Sequence, residues 1–162
     1  MNDARCAVCG NLIEIDPAAL HREFPICRHC GSSPRFCGLA LAVSMAVYGS
    51  HADAALGDRV RRKDISALGF SDDERLARIF ADKFCYTNTF LHTEPRIDLC
   101  SRASCSNYLV DLIICSDVIE HTPAPPIVPL TNLLSMLKPS GALVLSAPTF
   151  LFDATVEWYG GM

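Results

Sequence analysis

The spacing of hydrophobic positions changes near residue 64, and it predicts different structure on either side of that point. In the first part, a nearly continuous apolar run follows Ser33 and Pro34, which are typical of a helix N-cap and a first helical position. We therefore predict a helix from Pro34 to about Tyr48 that stops at Gly49. Because apolar residues surround this helix on nearly all sides, we expect it to lie between two other parts of the molecule.

Strand-like and helix-like patterns alternate from residue 64 onward. The predicted strands cover residues 65–70, 85–91, 96–99, 110–115 and 142–146. One predicted helix opens with a capping box of Ser71 and Glu74 and presents an apolar face of Leu76, Ile79, Phe80 and Phe84. A second carries Leu130, Leu133, Leu134 and Leu137 and must end before Pro139. Strand, helix and strand joined by short connections indicate a right-handed crossover, so the sequence predicts an α/β fold with a mostly parallel sheet.

Composition and charge narrow the class of protein. The chain has 162 residues, 50% of them hydrophobic and 20% charged, which suits one compact domain with a small appendage and excludes a disordered chain. The formal net charge of -4 argues against a general nucleic-acid binder. The balance is +2 over residues 1–63 and -6 over the rest.

No feature of the sequence indicates a membrane or a secretory route. The amino terminus lacks the apolar region of a signal peptide, and the longest apolar run spans only 13 residues, Phe36 to Tyr48, where a bilayer requires about 20. Nine cysteines without such a signal favour a reducing compartment. We therefore expect a cytoplasmic protein that does not contact membranes.

The cysteine spacing is the most specific local signal. Two Cys-x-x-Cys-Gly units supply four thiols, Cys6, Cys9, Cys27 and Cys30, and four thiolates satisfy tetrahedral Zn²⁺. Each trailing glycine lets the backbone bend beneath the sulfurs. We interpret residues 1–33 as a zinc ribbon with a structural metal. The alternatives are two unrelated thiol pairs, one redox pair, or a site in which His29 replaces a thiol. The other cysteines are expected to be small buried hydrophobic residues: Cys37, Cys85, Cys100, Cys105 and Cys115.

Two segments near the end of the chain resemble a known enzyme family. Asp111 opens an apolar run that leads into Val-Ile-Glu-His121, and Leu133 to Pro148 contains Leu-Lys-Pro-Ser-Gly before the next strand. This order is similar to class I S-adenosylmethionine-dependent methyltransferases, with Ser140 in place of a glycine. Residues 84–98 also resemble a branch of that family with an amino-terminal cysteine ribbon.

The resemblance implies a Rossmann-like domain over residues 64–162, behind a linking helix and connector over residues 34–63. Such domains normally continue with two further strands. Here only residues 149–162 follow the last predicted strand, so the chain is interpreted as a fragment or as a trimmed domain. We expect an exposed sheet edge, through which the chain would self-associate.

The resemblance also implies a set of site residues at the carboxyl ends of the strands. The cofactor-binding candidates are Gly69, Ser71, Asp98, Ser116 and Asp117, with Glu94 as a rival to Asp98. The family's Gly-x-Gly-x-Gly loop is represented here by Gly69 alone, which is otherwise an ordinary strand-to-helix turn. His121 is the candidate general base, with Glu120 beside it, for an acceptor hydroxyl or amine. The alternative is that Glu120 and His121 only anchor their loop.

Three functions follow from these observations. The first is an S-adenosylmethionine-dependent methyltransferase that acts on a small-molecule or glycan-type acceptor. The second is a non-catalytic binding or assembly module in which the methyltransferase-like domain has lost its cofactor site. The third is a nucleic-acid adaptor that uses Arg22, Arg28, His29 and Arg35, and the acidic remainder of the chain argues against it.

Overall fold

The structure is a computed structural model that describes residues 2–50 and 54–148. An antiparallel hairpin of β1 (Asn2–Arg5) and β2 (Leu12–Ile15) begins the chain. Four parallel strands form the main sheet: β3 (Arg62–Phe70), β4 (Phe84–Thr89), β5 (Val110–Ser116) and β6 (Leu137–Ser146). The helices are α1 (Pro34–Tyr48), α2 (Glu74–Lys83), α3 (Arg102–Cys105) and α4 (Ile127–Ser135). The predicted α/β class with a parallel sheet is confirmed.

The ends of α1 are fixed by the residues that the sequence singled out. The Ser33 side chain accepts a hydrogen bond from the backbone N–H of Phe36, and Pro34 occupies the first turn. Gly49 takes a left-handed conformation, with φ of 70°, and donates its N–H to the Met45 carbonyl. The buried apolar residues of α1 share one hydrophobic cluster with the cysteine turns and with the sheet, so the helix lies between these two parts as expected. Its remaining side is open, and Met45 there is 48% exposed.

The strand order is β4-β3-β5-β6, and the direction of chain progress across the sheet reverses once. From β3 the chain moves outward through α2 to β4, returns past β3 to β5, and continues outward through α4 to β6. The reversal therefore falls between the neighbouring strands β3 and β5. In open parallel sheets a crevice forms at the carboxyl ends of the strands on either side of such a point.

Helices cover the sheet on both faces, as parallel sheets require. On one face, α1, α2 and the cysteine-bearing turns share a hydrophobic cluster with alternate residues of the strands, including Ala67, Leu112 and Ile114. On the other face, residues from α3 and α4 pack against Leu68 and Ile113. Period-two alternation along β3 and β5 thus divides their side chains between two cores.

Several predicted element boundaries differ from the structure. The capping box at Ser71 is wrong: α2 begins at Glu74, and the Asp73 side chain caps it by accepting from the backbone N–H of Arg75. Ser71 instead has φ of 57° and turns the chain at the end of β3. In place of a strand over residues 96–99, the structure has a single bridge between Phe90 and Arg96.

Phe84 and Leu137 were predicted at the ends of helices, but each begins a strand. In both cases the first residue of the strand packs into a hydrophobic core, as the apolar residues of the preceding helix do. The helical spacing of apolar residues therefore continues one residue past the end of the helix. Pro139 lies inside β6, which is tolerated because β6 is an edge strand of the described sheet. The other edge in this part of the chain is β4, and self-association through an edge stays a prediction.

Within residues 2–50 and 54–148, no helix has the length and apolar character needed to span a bilayer.

A polar cluster joins three strands at the amino-terminal end of the sheet. The Asp111 carboxylate accepts hydrogen bonds from the Ser66 hydroxyl at 2.6 Å and from the Lys138 ammonium at 2.8 Å. Both donors stabilise the ionised carboxylate, Lys138 more than Ser66, and they lower the pKa of Asp111 to about 2.

We expect Asp111→Asn to lower the free energy of unfolding by about 1–2 kcal/mol at pH 7, because it removes two charge-assisted hydrogen bonds. The folded-state pKa lies below the ordinary value, so this stabilisation is present above about pH 4 and is lost as the pH falls toward 2. Urea unfolding at pH 7 and at acidic pH measures the difference. The matched control is Asp64→Asn, whose carboxylate pairs with Arg62 and is 63% exposed, and which should change stability much less because exposed ion pairs contribute little. Equal effects of the two substitutions would contradict the prediction.

Candidate functional site

Two matching turns bring the four predicted metal ligands together. In each turn the glycine after the second cysteine donates its N–H to the carbonyl of the first, from Gly10 to Cys6 and from Gly31 to Cys27, both at 2.8 Å. Both glycines have positive φ, 79° and 69°, which side chains rarely adopt. The role predicted for the trailing glycines is therefore confirmed.

The four sulfur atoms lie within 4.8 Å of one another. Cys6 Sγ and Cys30 Sγ are 3.7 Å apart, and Cys9 Sγ and Cys27 Sγ are 3.6 Å apart. A tetrahedral zinc site with Zn–S bonds of about 2.3 Å requires sulfur–sulfur distances of about 3.8 Å. The cluster can therefore hold a zinc ion, and its geometry disfavours two unrelated thiol pairs. Among the described residues the cluster contains cysteines only, without His29.

The fifth nearby cysteine, Cys37 on α1, lies outside this cluster but interacts with Cys6. The Cys6 thiol donates a hydrogen bond to the Cys37 sulfur, and this bond, together with burial, raises the pKa of Cys6. Burial raises the pKa of Cys30 to about 12. Metal ligation by thiolates must therefore displace protons from these sulfurs. The expectation for the remaining cysteines holds for Cys105 and Cys115, which are buried; Cys37 and Cys100 are half-buried, and Cys85 is exposed.

A cleft of about 200 Å³ lies beyond the carboxyl ends of β3, β4 and β5. Four residues singled out in the sequence line it: Ser71, Asp98, Asp117 and His121. The rest of the lining is mostly apolar and includes Phe70, Phe90, Leu91, Ile97, Leu99 and Val118. The crevice at the reversal of strand order is thus an apolar cleft with two carboxylates and an imidazole on its walls.

Left-handed backbone conformations form the rim of the cleft at the ends of two neighbouring strands. Ser71 follows β3 with φ of 57°, and its N–H donates to the Thr89 carbonyl at 2.8 Å. Asp117 follows β5 with φ of 56°, and its N–H donates to the Ser146 carbonyl at 2.9 Å. Residues other than glycine adopt this conformation rarely, so both turns are held by their surroundings.

Asp98 is placed in the cleft by local hydrogen bonds. Its backbone N–H donates to the Ser104 hydroxyl at 2.9 Å, and its carboxylate accepts from the N–H of Cys100 at 2.8 Å. The rival candidate Glu94 is exposed, and its carboxylate accepts from the N–H of Arg96 instead of facing the cleft. The structure therefore places Asp98 in the cleft and leaves Glu94 outside it.

Three other predicted residues do not line the cleft. Gly69 lies on the α1 side of the sheet, where an added Cβ would come within 2.0 Å of the Tyr86 hydroxyl and 2.3 Å of Asp72 Oδ2. Ser116 faces the same side and accepts a hydrogen bond from Arg35 at 3.0 Å. Glu120 belongs to a short 3₁₀ turn and is exposed. Position 69 must therefore be glycine because the protein's own Tyr86 and Asp72 side chains approach its backbone closely.

Sequence reasoning missed the pair that occupies this space. The Tyr86 hydroxyl donates to Asp72 Oδ2 at 2.6 Å, and Asn88 bonds the backbone of Asp72 through both ends of its amide. Burial raises the pKa of the Asp72 carboxyl to about 6 and outweighs the Tyr86 hydrogen bond, which lowers it. In the sequence, the polar residues 86–88 indicate only a strand. They do not indicate that Tyr86 bonds Asp72.

Sequence reasoning also missed the contact between the amino-terminal segment and the cleft. Arg22, in the loop between the cysteine pairs, donates to both carboxylate oxygens of Asp117, and this ion pair raises the pKa of the Arg22 guanidinium. Arg35 Nε lies 3.4 Å from Asp117 Oδ2. The sequence offers both arginines as nucleic-acid contacts, but in the structure they pair with carboxylates.

A scan against protein-family models gives no match for this chain, and searches of curated proteins and of solved structures give none either.

We expect metal analysis to find about one zinc ion per chain, because four thiolates at these distances form one closed site. Cys6→Ser should lose the metal, since three thiolates remain. Cys37→Ser is the matched control: it removes a neighbouring thiol from outside the cluster and should keep the full zinc content. Equal zinc loss in both variants would show that the ligand set is assigned wrongly.

A second prediction concerns Asp72. Its folded-state pKa of about 6 lies above the ordinary value of 3.8, so its contribution to stability is present below about pH 4 and is lost as the pH rises through 6. This loss amounts to at most about 3 kcal/mol. Asp72→Asn keeps an oxygen for the Tyr86 hydroxyl but cannot ionise, so it should gain stability relative to wild type between pH 5 and pH 8.

Urea unfolding of the zinc-loaded proteins across that range measures the Asp72 effect. Asp73→Asn is the control, because the Asp73 carboxylate pairs with Arg75 and has a lowered pKa. The prediction fails if the difference between wild type and Asp72→Asn is the same at every pH.

Proposed function

We propose that this protein is an S-adenosylmethionine-dependent methyltransferase with a Rossmann-like sheet and a structural zinc site. One observation carries the proposal. The cleft lies beyond the carboxyl ends of the strands, where the strand order reverses, and Ser71, Asp98, Asp117 and His121 line it. In open α/β sheets this is the place where nucleotide-like ligands bind.

The lining suits an adenosine-containing ligand. Apolar side chains such as Phe90, Leu91 and Ile97 offer a surface for a purine ring, and Asp98 offers carboxylate oxygens to ribose hydroxyls. The left-handed turns at Ser71 and Asp117 bring backbone to the rim of the cleft. These features support the proposal although the chain lacks the Gly-x-Gly-x-Gly loop.

When bound, S-adenosylmethionine supplies an electrophilic methyl group. The protein's main contribution would then be orientation, because holding two reactants in line converts a bimolecular reaction into an effectively unimolecular one. His121 is the residue that can take a proton on a ring nitrogen from an acceptor hydroxyl or amine. Glu120 is exposed outside the cleft, so we assign it no proton-transfer role. The acceptor class, a small molecule or a glycan, rests on the family resemblance.

A second candidate is the non-catalytic binding or assembly module. The observation that favours it is the filled space beside Gly69, where Tyr86 and Asp72 occupy the position that a close ligand would need. On that side of the sheet, Gly69 makes room for the Tyr86 and Asp72 side chains and not for a ligand. The open cleft lies on the other side of β3, which is why we favour the enzyme.

Calorimetric titration of the zinc-loaded protein with S-adenosylmethionine and S-adenosylhomocysteine tests the proposal. We expect both to bind, and Asp98→Asn to weaken binding by roughly tenfold, because a hydrogen bond to a charged acceptor is lost. The matched control, Asp64→Asn, removes a carboxylate far from the cleft and should bind as wild type does. A folded protein that gives no heat with either compound would rule out the enzyme and favour the module.

A further inference from the structure

The carboxylate of Asp117 is held by more contacts than a surface carboxylate ordinarily has. Its backbone is left-handed, with φ of 56°, and its side chain is only 18% exposed. The Ser146 hydroxyl lies 3.2 Å from Oδ1, and the Ser146 carbonyl accepts the Asp117 N–H. A residue in a sparsely populated conformation persists only where its surroundings determine it.

The cations around Asp117 come from the segment that carries the cysteines. Arg22 contacts both carboxylate oxygens from 95 residues away in sequence, and Arg35 Nε lies 3.4 Å from Oδ2. Glu23 joins the two arginines: its carboxylate lies 2.9 Å from Arg35 Nε and 3.3 Å from Arg22 Nη1. Arg35 also donates to the Ser116 hydroxyl, the residue before Asp117.

The cysteine turns fix the position of this arginine loop. The Arg35 N–H donates to the Arg22 carbonyl at 3.2 Å, which ties the loop to the first turn of α1. The N–H groups of Ile26 and Cys27 both donate to the Ser32 carbonyl, so the loop ends in the turn that presents Cys27. A continuous set of contacts therefore runs from the cysteine cluster through Arg22 to Asp117.

The residues after Asp117 form one wall of the cleft. Val118 and His121 line it directly, and the His121 N–H donates to the Val118 carbonyl at 3.0 Å. The orientation of Asp117 thus sets the direction in which this short turn leaves β5.

We propose that Arg22 and Arg35 are positioning residues that hold Asp117 in its left-handed conformation, so that the cysteine-bearing segment forms part of the ligand-binding site. This segment then has a task beyond folding. It shapes the wall that contains Val118 and His121. The effect on ligand affinity rests on the proposed function, whereas the effect on the wall does not.

The test is a double-mutant cycle with Arg22→Met, Asp117→Asn and the combination of both. Asparagine tolerates the left-handed conformation, so Asp117→Asn removes the charge without forcing a new backbone. The first readout is hydrogen–deuterium exchange of the amides of residues 117–122 in the ligand-free, zinc-loaded protein. The second is the Kd for S-adenosylhomocysteine.

We expect Arg22→Met to speed exchange over residues 117–122 and to weaken S-adenosylhomocysteine binding by roughly tenfold. In the Asp117→Asn background the same substitution should have little further effect, because contacting residues are not additive. Arg22→Lys keeps the charge but not the two-pronged contact, so it should restore part of both properties. Arg78→Met is the matched control, since it breaks the exposed pair with Glu74 on α2 and should change neither.

The outcomes separate this inference from the proposed function. If Arg22→Met leaves exchange unchanged, or if its effect is the same with and without Asp117, the positioning role is wrong. If the exchange results follow the expected cycle but wild type binds no S-adenosylhomocysteine, the positioning role stands and the cofactor assignment fails. Urea unfolding of each variant checks that the fold is retained, and Arg22→Lys carries the test if Arg22→Met does not fold.

Discussion

The packing of α1 against both the cysteine turns and the sheet is the constraint on which the rest of the structure depends. Phe36, Ala40 and Val43 on its buried face belong to one hydrophobic cluster with Cys6 and Val8 on one side and Ala67 and Ile114 on the other. Burying a side chain of this size contributes about 1.5–3 kcal/mol, so the helix links the two parts energetically as well as covalently. Free energy gained by binding a metal at the turns would therefore stabilise the sheet as well.

That shared core also explains how the cysteine-bearing segment reaches the cleft. Because α1 starts close to the carboxyl ends of the strands, its first turn carries Arg35 to Ser116, and the loop before it carries Arg22 to Asp117. The cations arrive where the strand ends present carboxylates. The sheet end is consequently held by partly buried ion pairs, which water and salt screen less than exposed ones.

Local features of the fold were predictable from the sequence, and long-range ones were not. The cap of α1 and the cysteine turns depend on residues within five positions of one another, and the buried strand β5 is read from a short apolar run. Helix ends were less accurate at Phe84 and Leu137, because core-facing residues continue the helical spacing into the next strand. The cleft residues Asp98 and Asp117 came from a family pattern.

The contacts of those cleft residues depend on tertiary approach. The contact of Arg22 with Asp117 spans 95 residues, and the contact of Tyr86 with Asp72 depends on the register between β3 and β4. For the same reason the sequence suggested a ligand beside Gly69, whereas the register places Tyr86 there.

The conformations at Ser71 and Asp117 bear on whether the cleft is functional. A left-handed residue other than glycine costs about 1 kcal/mol, and glycine at either position would remove that cost. A scaffold whose strand ends only had to turn would gain stability from such a glycine. Instead, the chain places a hydroxyl and a carboxylate at these turns, and both line the cleft. Arg22 and Arg35 then hold Asp117 in place. Polar side chains kept in a strained conformation around an apolar cleft are typical of ligand-binding sites, and this supports the proposal that the cleft holds a ligand.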